Sequence, residues 1–318
     1  MTAGTPHRYF QAILDAYAVA ARPNYHQTTP AEARAMLRAA LAAAPPPAGL
    51  PELAEVIDID IAGPAGPIAL CCYKPLGASH GTCVYFHAGG WVIGDLDLSD
   101  ATCRRMAAAA GCQVVSVDYR LAPENPFPAP LVDAYAALQW ASRELPGPLV
   151  VMGESAGGNL AAACAIKARD AGGPALAGQF LSCPVADHNC DTVSYRELGH
   201  RNWLLSTADM LWFWDHYCPD ADRRSDPLAS PLRVADAKNL PPALIHVAEL
   251  DPLRDDGLAY AHLLASAGVA VSTRCDHSML HGYLSAAGAI PQVAEALAQA
   301  AEWIRRRLVA AADNSKDL

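Results

Sequence analysis

Gly153-Glu154-Ser155-Ala156-Gly157 places one hydroxyl between two glycines. The apolar run Leu149-Val150-Val151-Met152 precedes it and a helical stretch follows. A serine on such a strand-to-helix turn sits on a sharp, strained backbone with its Oγ pointing out of the sheet. Glycines at its flanks give the backbone room for the turn. The chemistry open to this serine is nucleophilic attack, provided a base lies within hydrogen-bond reach. An ordinary glycine-rich turn is the bland alternative, and the strand before and helix after weigh against it.

His87-Ala88-Gly89-Gly90-Trp91 directly follows the apolar run 83–86. A glycine-rich loop at the carboxyl end of a strand can present backbone N–H groups to a negative oxygen. A phosphate loop is the competing use of such glycines. The G-x-x-x-x-G-K-[S/T] pattern is absent, and Asp95 and Asp97 would repel a phosphate. An orienting acid could come from Asp251, Asp255 or Asp256, which follow the run 243–247. Asp251 falls at the carboxyl edge of a sheet, where the sites of α/β proteins collect. The base must be one of eleven histidines. His7, His26, His80, His188, His200, His216 and His262 fall in expected helices, loops or the insertion described below. His246 lies inside an apolar run and reads as a satisfied core residue, and His87 reads as an orienting donor in its loop. His277 and His281 remain, behind the run 271–274.

These groups meet only if the segments that carry them are brought side by side. The short apolar runs 83–86, 114–117, 149–152, 180–183 and 243–247 read as buried strands. Helical stretches at 129–143, 155–170 and 257–267 lie between them, and this alternation implies a mostly parallel sheet with helices on both faces. Ahead of it, 56–61 and 68–73 flank Gly63-Pro64-Ala65-Gly66 and read as a hairpin. The first 45 residues read as helical. Phe10, Ile13, Leu14, Tyr17 and Ala18 recur at helical spacing, and a second helix opens with Thr29 as N-cap and Pro30 at the first position. Pro45-Pro46-Pro47 breaks it. A last helix is expected over 292–309 and a frayed tail over 312–318. The stretch 188–235 interrupts the alternation with Trp203, Trp212, Phe213, Trp214 and Tyr217, and it is too long for a bare connection.

A chain of 318 residues suits two domains, or one α/β domain with an insertion. It is large enough to fold without a disulfide or metal. Ten cysteines with no CxxC pair, mostly in apolar runs, read as free thiols in a reducing cytosol. A net charge of −10 argues against a nucleic-acid or anionic-membrane partner. No basic stretch followed by an apolar one opens the chain, and no uncharged apolar run reaches membrane-spanning length, so a cytoplasmic protein is expected.

Taken in order, the candidate groups run serine, acid, histidine, which is the chain order of the α/β-hydrolases. Over about residues 54–310 the chain resembles the hormone-sensitive-lipase-like branch of that superfamily, a set of bacterial-type carboxylesterases. The branch pattern is H-G-G-G ahead of G-D-S-A-G-G, then D-P-L-x-D and H-G-F. Here it reads His87-Ala88-Gly89-Gly90, Gly153-Glu154-Ser155-Ala156-Gly157-Gly158, Asp251-Pro252-Leu253-Arg254-Asp255 and His281-Gly282-Tyr283. Val117-Asp118-Tyr119-Arg120-Leu121-Ala122-Pro123-Glu124 matches a further segment of the branch.

The resemblance implies an α/β-hydrolase fold: a mostly parallel eight-stranded sheet with helices on both faces, under a helical cap. Residues 1–50 would form the N-terminal part of the cap and 188–235 its inserted part. Residues 51–187 and 236–311 would form the catalytic domain. It further implies Ser155 as nucleophile, His281 as base and Asp251 as orienting acid. The oxyanion would be held by the N–H groups of Gly89, Gly90 and Ala156. The substrate would be a small ester of a short acyl chain, with no metal or cofactor, and the family suggests a homodimer. An amidase or lactonase on the same residues is the alternative, as is a non-catalytic hydrolase-like receptor, a class that usually lacks the histidine. Three departures stand out. Ala88 replaces the first loop glycine, which bears on loop shape; Glu154 replaces Asp and is expected to support the turn; Tyr283 replaces Phe. Asp255 is expected to cap the helix near Gly257, and Arg120 with Glu124 to form a structural ion pair.

Overall fold

The computed structural model describes residues 4–201 and 203–314. The apolar runs become the strands β1 (Glu55–Gly63), β2 (Gly66–Lys74), β3 (Thr82–Phe86), β4 (Gln113–Val117), β5 (Leu149–Glu154), β6 (Leu176–Ser182), β7 (Ala243–Ala248) and β8 (Val271–Asp276). They lie in one sheet in the order β1-β2-β4-β3-β5-β6-β7-β8. β2 alone runs against the rest, joined to β1 through the Pro64-Ala65 turn with Gly63 opposite Gly66. β4-β3-β5-β6-β7-β8 pair in parallel.

The helices are α1 (Arg8–Val19), α2 (Pro30–Ala43), α3 (Leu96–Ala110), α4 (Ala129–Glu144), α5 (Ala156–Asp170), α6 (Val193–Leu198), α7 (Thr207–Tyr217), α8 (Arg254–Ser266) and α9 (Pro291–Asn314). Successive strand side chains point to opposite faces, and the sheet separates two cores accordingly. Val84, Phe86, Val115, Val117, Val151, Ile245 and Val247 pack with α4, α5 and α8. Cys83, Tyr85, Val114, Val150, Met152 and Leu244 pack with α3 and α9. All ten cysteines are free thiols. No helix among the described residues is long and apolar enough to cross a membrane.

Local chemistry sets several boundaries. Thr29 accepts the Glu32 N–H at 3.3 Å while Glu32 accepts the Thr29 N–H at 2.8 Å, so the start of α2 is a reciprocal capping box. Asp95 caps α3, a helix that the strand-and-helix reading had not singled out. α9 continues to Asn314, so residues 312–314 are helical and not frayed, and 315–318 lie outside the described residues.

Other expectations need correction. α8 begins at Arg254, three residues early, because a turn at Asp251–Arg254 leads directly into it. Asp255 is therefore inside its first turn and does not cap it; its carboxylate accepts the Ser194 N–H at 2.8 Å. Arg120 does not pair with Glu124. It forks onto the buried Asp133 of α4 at 2.7 and 2.8 Å, while Glu124 takes both guanidinium arms of Arg34 from α2 at 2.8 and 2.7 Å. His246 is buried edge-on to Phe180, but its Nδ1 has no hydrogen-bond partner among the described residues. Burial holds it down near a pKa of about 4, so it is a neutral core residue with one unmet atom.

Candidate active site

After β3 the chain crosses to β4 on one side, then returns to β5 on the other. The order of the strands reverses there, and the crevice at their carboxyl ends is where such sheets bind ligands. The two motif loops leave β3 and β5 at this point.

Ser155 stands between β5 and α5 with φ +58° and ψ −120°. A non-glycine residue rarely adopts such a backbone, which costs on the order of 1–3 kcal/mol and needs surroundings that enforce it. Those surroundings are visible. The Ser155 N–H donates to Ser182 O at 2.9 Å, and its carbonyl accepts from Asn159 N–H at 3.0 Å. Asn159 in turn anchors α5 by donating through Nδ2 to Val185 O and Ala229 O. The flanking glycines are required by close approach. A Cβ on Gly153 would lie 2.1 Å from Gly157 O, and one on Gly157 would lie 1.9 Å from Phe86 O and 2.6 Å from His87 O. The turn therefore lies directly against the start of the 87–90 loop.

That loop is itself locked. His87 donates through Nδ1 to Ala88 O at 2.7 Å, stacks on Tyr119 at 4.1 Å, and accepts the Tyr119 hydroxyl at its carbonyl. Burial holds His87 neutral, down to a pKa of about 4, so it adds no charge to the loop. Gly89 and Gly90 take φ +122° and +57°. Phe213 of α7 presses on Gly90 so closely that a Cβ there would be 2.1 Å from the ring. The N–H groups of Gly89, Gly90 and Ala156 donate to no acceptor among the described residues. Ala156 opens α5, whose positive end adds its dipole in the same direction. Alanine is accommodated at position 88 because the positive-φ positions of the bend fall on Gly89 and Gly90 and not on it.

Asp251 and His281 come from the loops after β7 and β8. The Leu250 N–H donates to Met279 O at 3.1 Å and Glu249 N–H to Asp276 O at 3.0 Å, which ties the two loops together. Asp251 is fully buried, with one carboxylate oxygen accepting the Leu253 N–H at 2.9 Å. Its other oxygen is 2.8 Å from His281 Nδ1, and His281 Nε2 is 2.9 Å from Ser155 Oγ. Burial alone would lower the His281 pKa, but the Asp251 charge and hydrogen bond outweigh it and hold the imidazole above its ordinary value. Of the competing groups, His277 is 80% exposed beside Glu249 and Asp256 binds the 186–187 backbone. Neither reaches Ser155.

Two residues of the site, Phe213 and Cys183, were not singled out by the sequence, and a third, Glu154, differs from its expected state. Phe213 was noted only as part of an aromatic insertion. Cys183 was one of ten cysteines assigned to apolar packing, yet its sulfur joins Asp251 and His281 in one cluster with all three ligand atoms within 4.8 Å of one another. Glu154 was expected as a charged support. It is buried with Oε1 unpartnered among the described residues, and burial pushes its carboxyl up to about 7.

The turn 25–27 packs on α7 beside the 87–90 loop. The His26 N–H and Nδ1 meet Asp209 Oδ1 at 3.0 and 2.8 Å, and Tyr25 packs on Phe213 at 5.6 Å. Arg34 grips Val92 O and Ala122 O behind the 87–91 loop. Trp91 stacks on Tyr217 at 4.0 Å and against Trp214 at 4.9 Å. A cavity of about 430 Å³ opens among α1, Tyr25, Trp203 and Leu204, and none of its lining residues belongs to the Ser155–His281–Asp251 chain.

A strained serine at a strand-to-helix turn, relayed to a histidine and a buried acid at a topological switch point, defines an α/β protein of the hydrolase type. Residues 83–285 match the family model described as the alpha/beta hydrolase fold. The chain belongs to the α/β-hydrolase family, in its hormone-sensitive-lipase-like branch. It is 45% identical over 73% of its length to the carboxylic ester hydrolase LipN of Mycobacterium tuberculosis, of which the match spans 65%. It is 42% identical over 77% of its length to the esterase LipI of the same organism, of which the match spans 80%. Among solved structures, a thermostable esterase from Pseudomonas putida superposes with a TM-score of 0.90 at 36% identity, covering 96% of this chain and 98% of that one. An esterase from Pyrobaculum calidifontis superposes with a TM-score of 0.86 at 37% identity, covering 91% and 96%.

Proposed function

We propose that this protein is a carboxylesterase that cleaves esters of short acyl chains through an acyl-enzyme. The observation that carries the reading is the continuous chain from Asp251 to His281 Nδ1 at 2.8 Å and from His281 Nε2 to Ser155 Oγ at 2.9 Å. The esterase relatives support the same reaction.

In this reading Ser155 Oγ attacks the ester carbonyl while His281 Nε2 takes its proton. Asp251 fixes the imidazole tautomer and stabilises the imidazolium. The N–H groups of Gly89, Gly90 and Ala156 receive the oxyanion, and the positive end of α5 favours the same charge. His281 then protonates the departing alcohol. Water, activated by the same base, breaks the acyl bond and frees Ser155. Water is the second substrate, and each catalytic role named here falls to a side chain or N–H of the chain.

The short-acyl preference rests on Phe213, whose ring closes over Gly90 beside the carbonyl position. α1, α2 and the 188–235 stretch would then act as a small lid over a concave site. A homodimer belongs to the same reading and is tested by light scattering. The central experiment is kcat/KM across p-nitrophenyl esters from C2 to C16, with the matching anilides and Ser155→Ala as control. A maximum between C2 and about C6, abolished in Ser155→Ala, is expected. A maximum at C12 or longer, or faster cleavage of anilides, would overturn the assignment.

A further inference from the structure

The loop 277–282 leaves β8 and carries His281, and the chain re-enters regular structure in a helical turn that starts at Tyr283. Such a loop must be fixed at both ends if its histidine is to stay within reach of Ser155. The first end is fixed mainly by backbone. Asp276 O accepts the Glu249 N–H at 3.0 Å, Met279 O accepts the Leu250 N–H at 3.1 Å, and the Ser278 N–H donates to Glu249 Oε2 at 2.8 Å. Beyond His281 the chain turns through Gly282 at φ +77°, and there a side chain does the fixing. Tyr283 is fully buried and donates its hydroxyl to Asp276 Oδ2 at 2.6 Å. The bond joins the residue just before the loop to the residue just after it.

Asp276 is a prepared acceptor. It is buried, and Arg274 forks onto it at 2.9 and 2.8 Å while Gln292 of α9 donates to Oδ1 at 3.2 Å. Burial would raise this acid, but Arg274, Tyr283 and Gln292 outweigh it and hold its pKa below the usual value, so the acceptor is an anion. A phenol on a carboxylate at this distance is a charge-assisted bond, roughly twice as strong as a neutral one.

We propose that Tyr283 is a positioning residue for the base: its hydroxyl, held by Asp276, closes the 277–282 loop and fixes His281 between Asp251 and Ser155. The inference rests on the Ser155–His281–Asp251 reading of the site. The hydroxyl bonds to none of those three and acts through the loop. The hormone-sensitive-lipase-like pattern carries phenylalanine at this place, which supplies the ring without the oxygen. Packing and bond are therefore separable here by one atom.

Tyr283→Phe removes that atom and keeps the ring. A displacement of about 1 Å at a reacting centre costs on the order of 100-fold, and a loosened loop gives less than that, so kcat should fall about 3- to 10-fold at unchanged KM. The downfield Nδ1–H proton resonance of His281 should move. Burial lowers the His281 pKa, and the charge and hydrogen bond of Asp251 raise it by more, so a weaker contact moves the acid limb of kcat/KM to lower pH. The other titratable groups facing His281, Glu154 at the end of β5 and Cys183 after β6, are unchanged by the substitution. Tyr135→Phe is the control. It removes a phenol bond of the same length, to Gly173 O at 2.6 Å, from α4, which carries none of the site residues. It should lower the melting temperature and leave kcat, resonance and limb alone. Wild-type kcat with an unmoved resonance in Tyr283→Phe would make the hydroxyl a stabilising bond only and overturn the proposal. So would an equal loss of kcat in Tyr135→Phe. Should Tyr283→Phe fail to fold, Asp276→Asn keeps the shape and weakens the acceptor: lower kcat at unchanged KM with a moved resonance supports the proposal, and wild-type kcat with an unmoved resonance refutes it. Ser155→Ala and His281→Ala run beside these variants; if either stays active, the triad reading itself has failed, whatever Tyr283 does.

Discussion

Gly157→Ala tests whether the serine turn is held by contact with the neighbouring strand. Gly157 is helical and needs no unusual backbone. What excludes a side chain is distance, since an added Cβ would lie 1.9 Å from Phe86 O and 2.6 Å from His87 O. Real contacts of this kind stay beyond 3.0 Å, so the turn and the β3 end must separate by roughly 1 Å. Overpacking of this size costs about 1–3 kcal/mol, which lowers the melting temperature by several degrees. The larger effect should be on turnover. The same separation pulls Ser155 and Ala156 away from Gly89 and Gly90, and a displacement of about 1 Å in a reacting centre costs on the order of 100-fold. Thermal melts and kcat on a C4 p-nitrophenyl ester measure the two effects. Gly172→Ala is the control: its φ is +74° but nothing lies within 4 Å, so it should cost about 1 kcal/mol of backbone strain and leave kcat alone. A Gly157→Ala protein with wild-type turnover would refute the argument from contact.

The remaining predictions concern charge and roles. Ser155→Ala and His281→Ala should each lower kcat/KM by roughly four orders of magnitude or more, with the double variant little worse because the pair acts as a unit; His277→Ala, on an exposed side chain, should be mild, and the reverse ranking would shift the base. Since His281 must be neutral to accept a proton and its pKa is held above 6.5, kcat/KM should fall as pH drops through a value above 6.5, and an acid limb below 6 would contradict the Asp251 contact. Glu154 is raised from 4.5 to about 7, so its contribution to stability is present below 4.5 and lost as pH climbs through 7, on the order of 3 kcal/mol in all. Glu154→Gln should therefore lose less stability than wild type between pH 5.5 and 8.5 in denaturant titrations, and equal losses would show that Glu154 is solvated.

The strands, the serine turn and the serine-acid-histidine order were legible because each rests on local chemistry. Strand runs such as 149–152 are apolar over their whole length, and Gly153 and Gly157 mark a close approach that no other residue allows. α3 was not legible in the same way, because Leu96–Ala110 begins with acids and a serine and ends in alanines that suit several conformations. The ion pairs were misassigned for a different reason. Arg120 and Glu124 are near in sequence, but each found a better-placed partner, one on α4 and one on α2. Asp255 was given a cap by its place ahead of Gly257, and α8 simply started earlier. Cys183 could not be singled out at all, since its place beside Asp251 follows from β6 and β7 pairing.

The bond between His26 and Asp209 joins residues 183 positions apart. A ribosome releases the first of these long before the second exists. The contact between the 25–27 turn and α7 must therefore wait until α7 has been made, while Arg34 of α2 can already grip Val92 O, Ala122 O and Glu124. The same separation limits how such a roof can be exchanged between relatives. Grafting the inserted stretch alone would leave Asp209, nearly inaccessible to water, facing a foreign residue that keeps the backbone N–H of position 26 but lacks the imidazole donor of His26. That loss is worth about 1–3 kcal/mol. Variation in substrate preference by recombination must then move two distant pieces of the gene together.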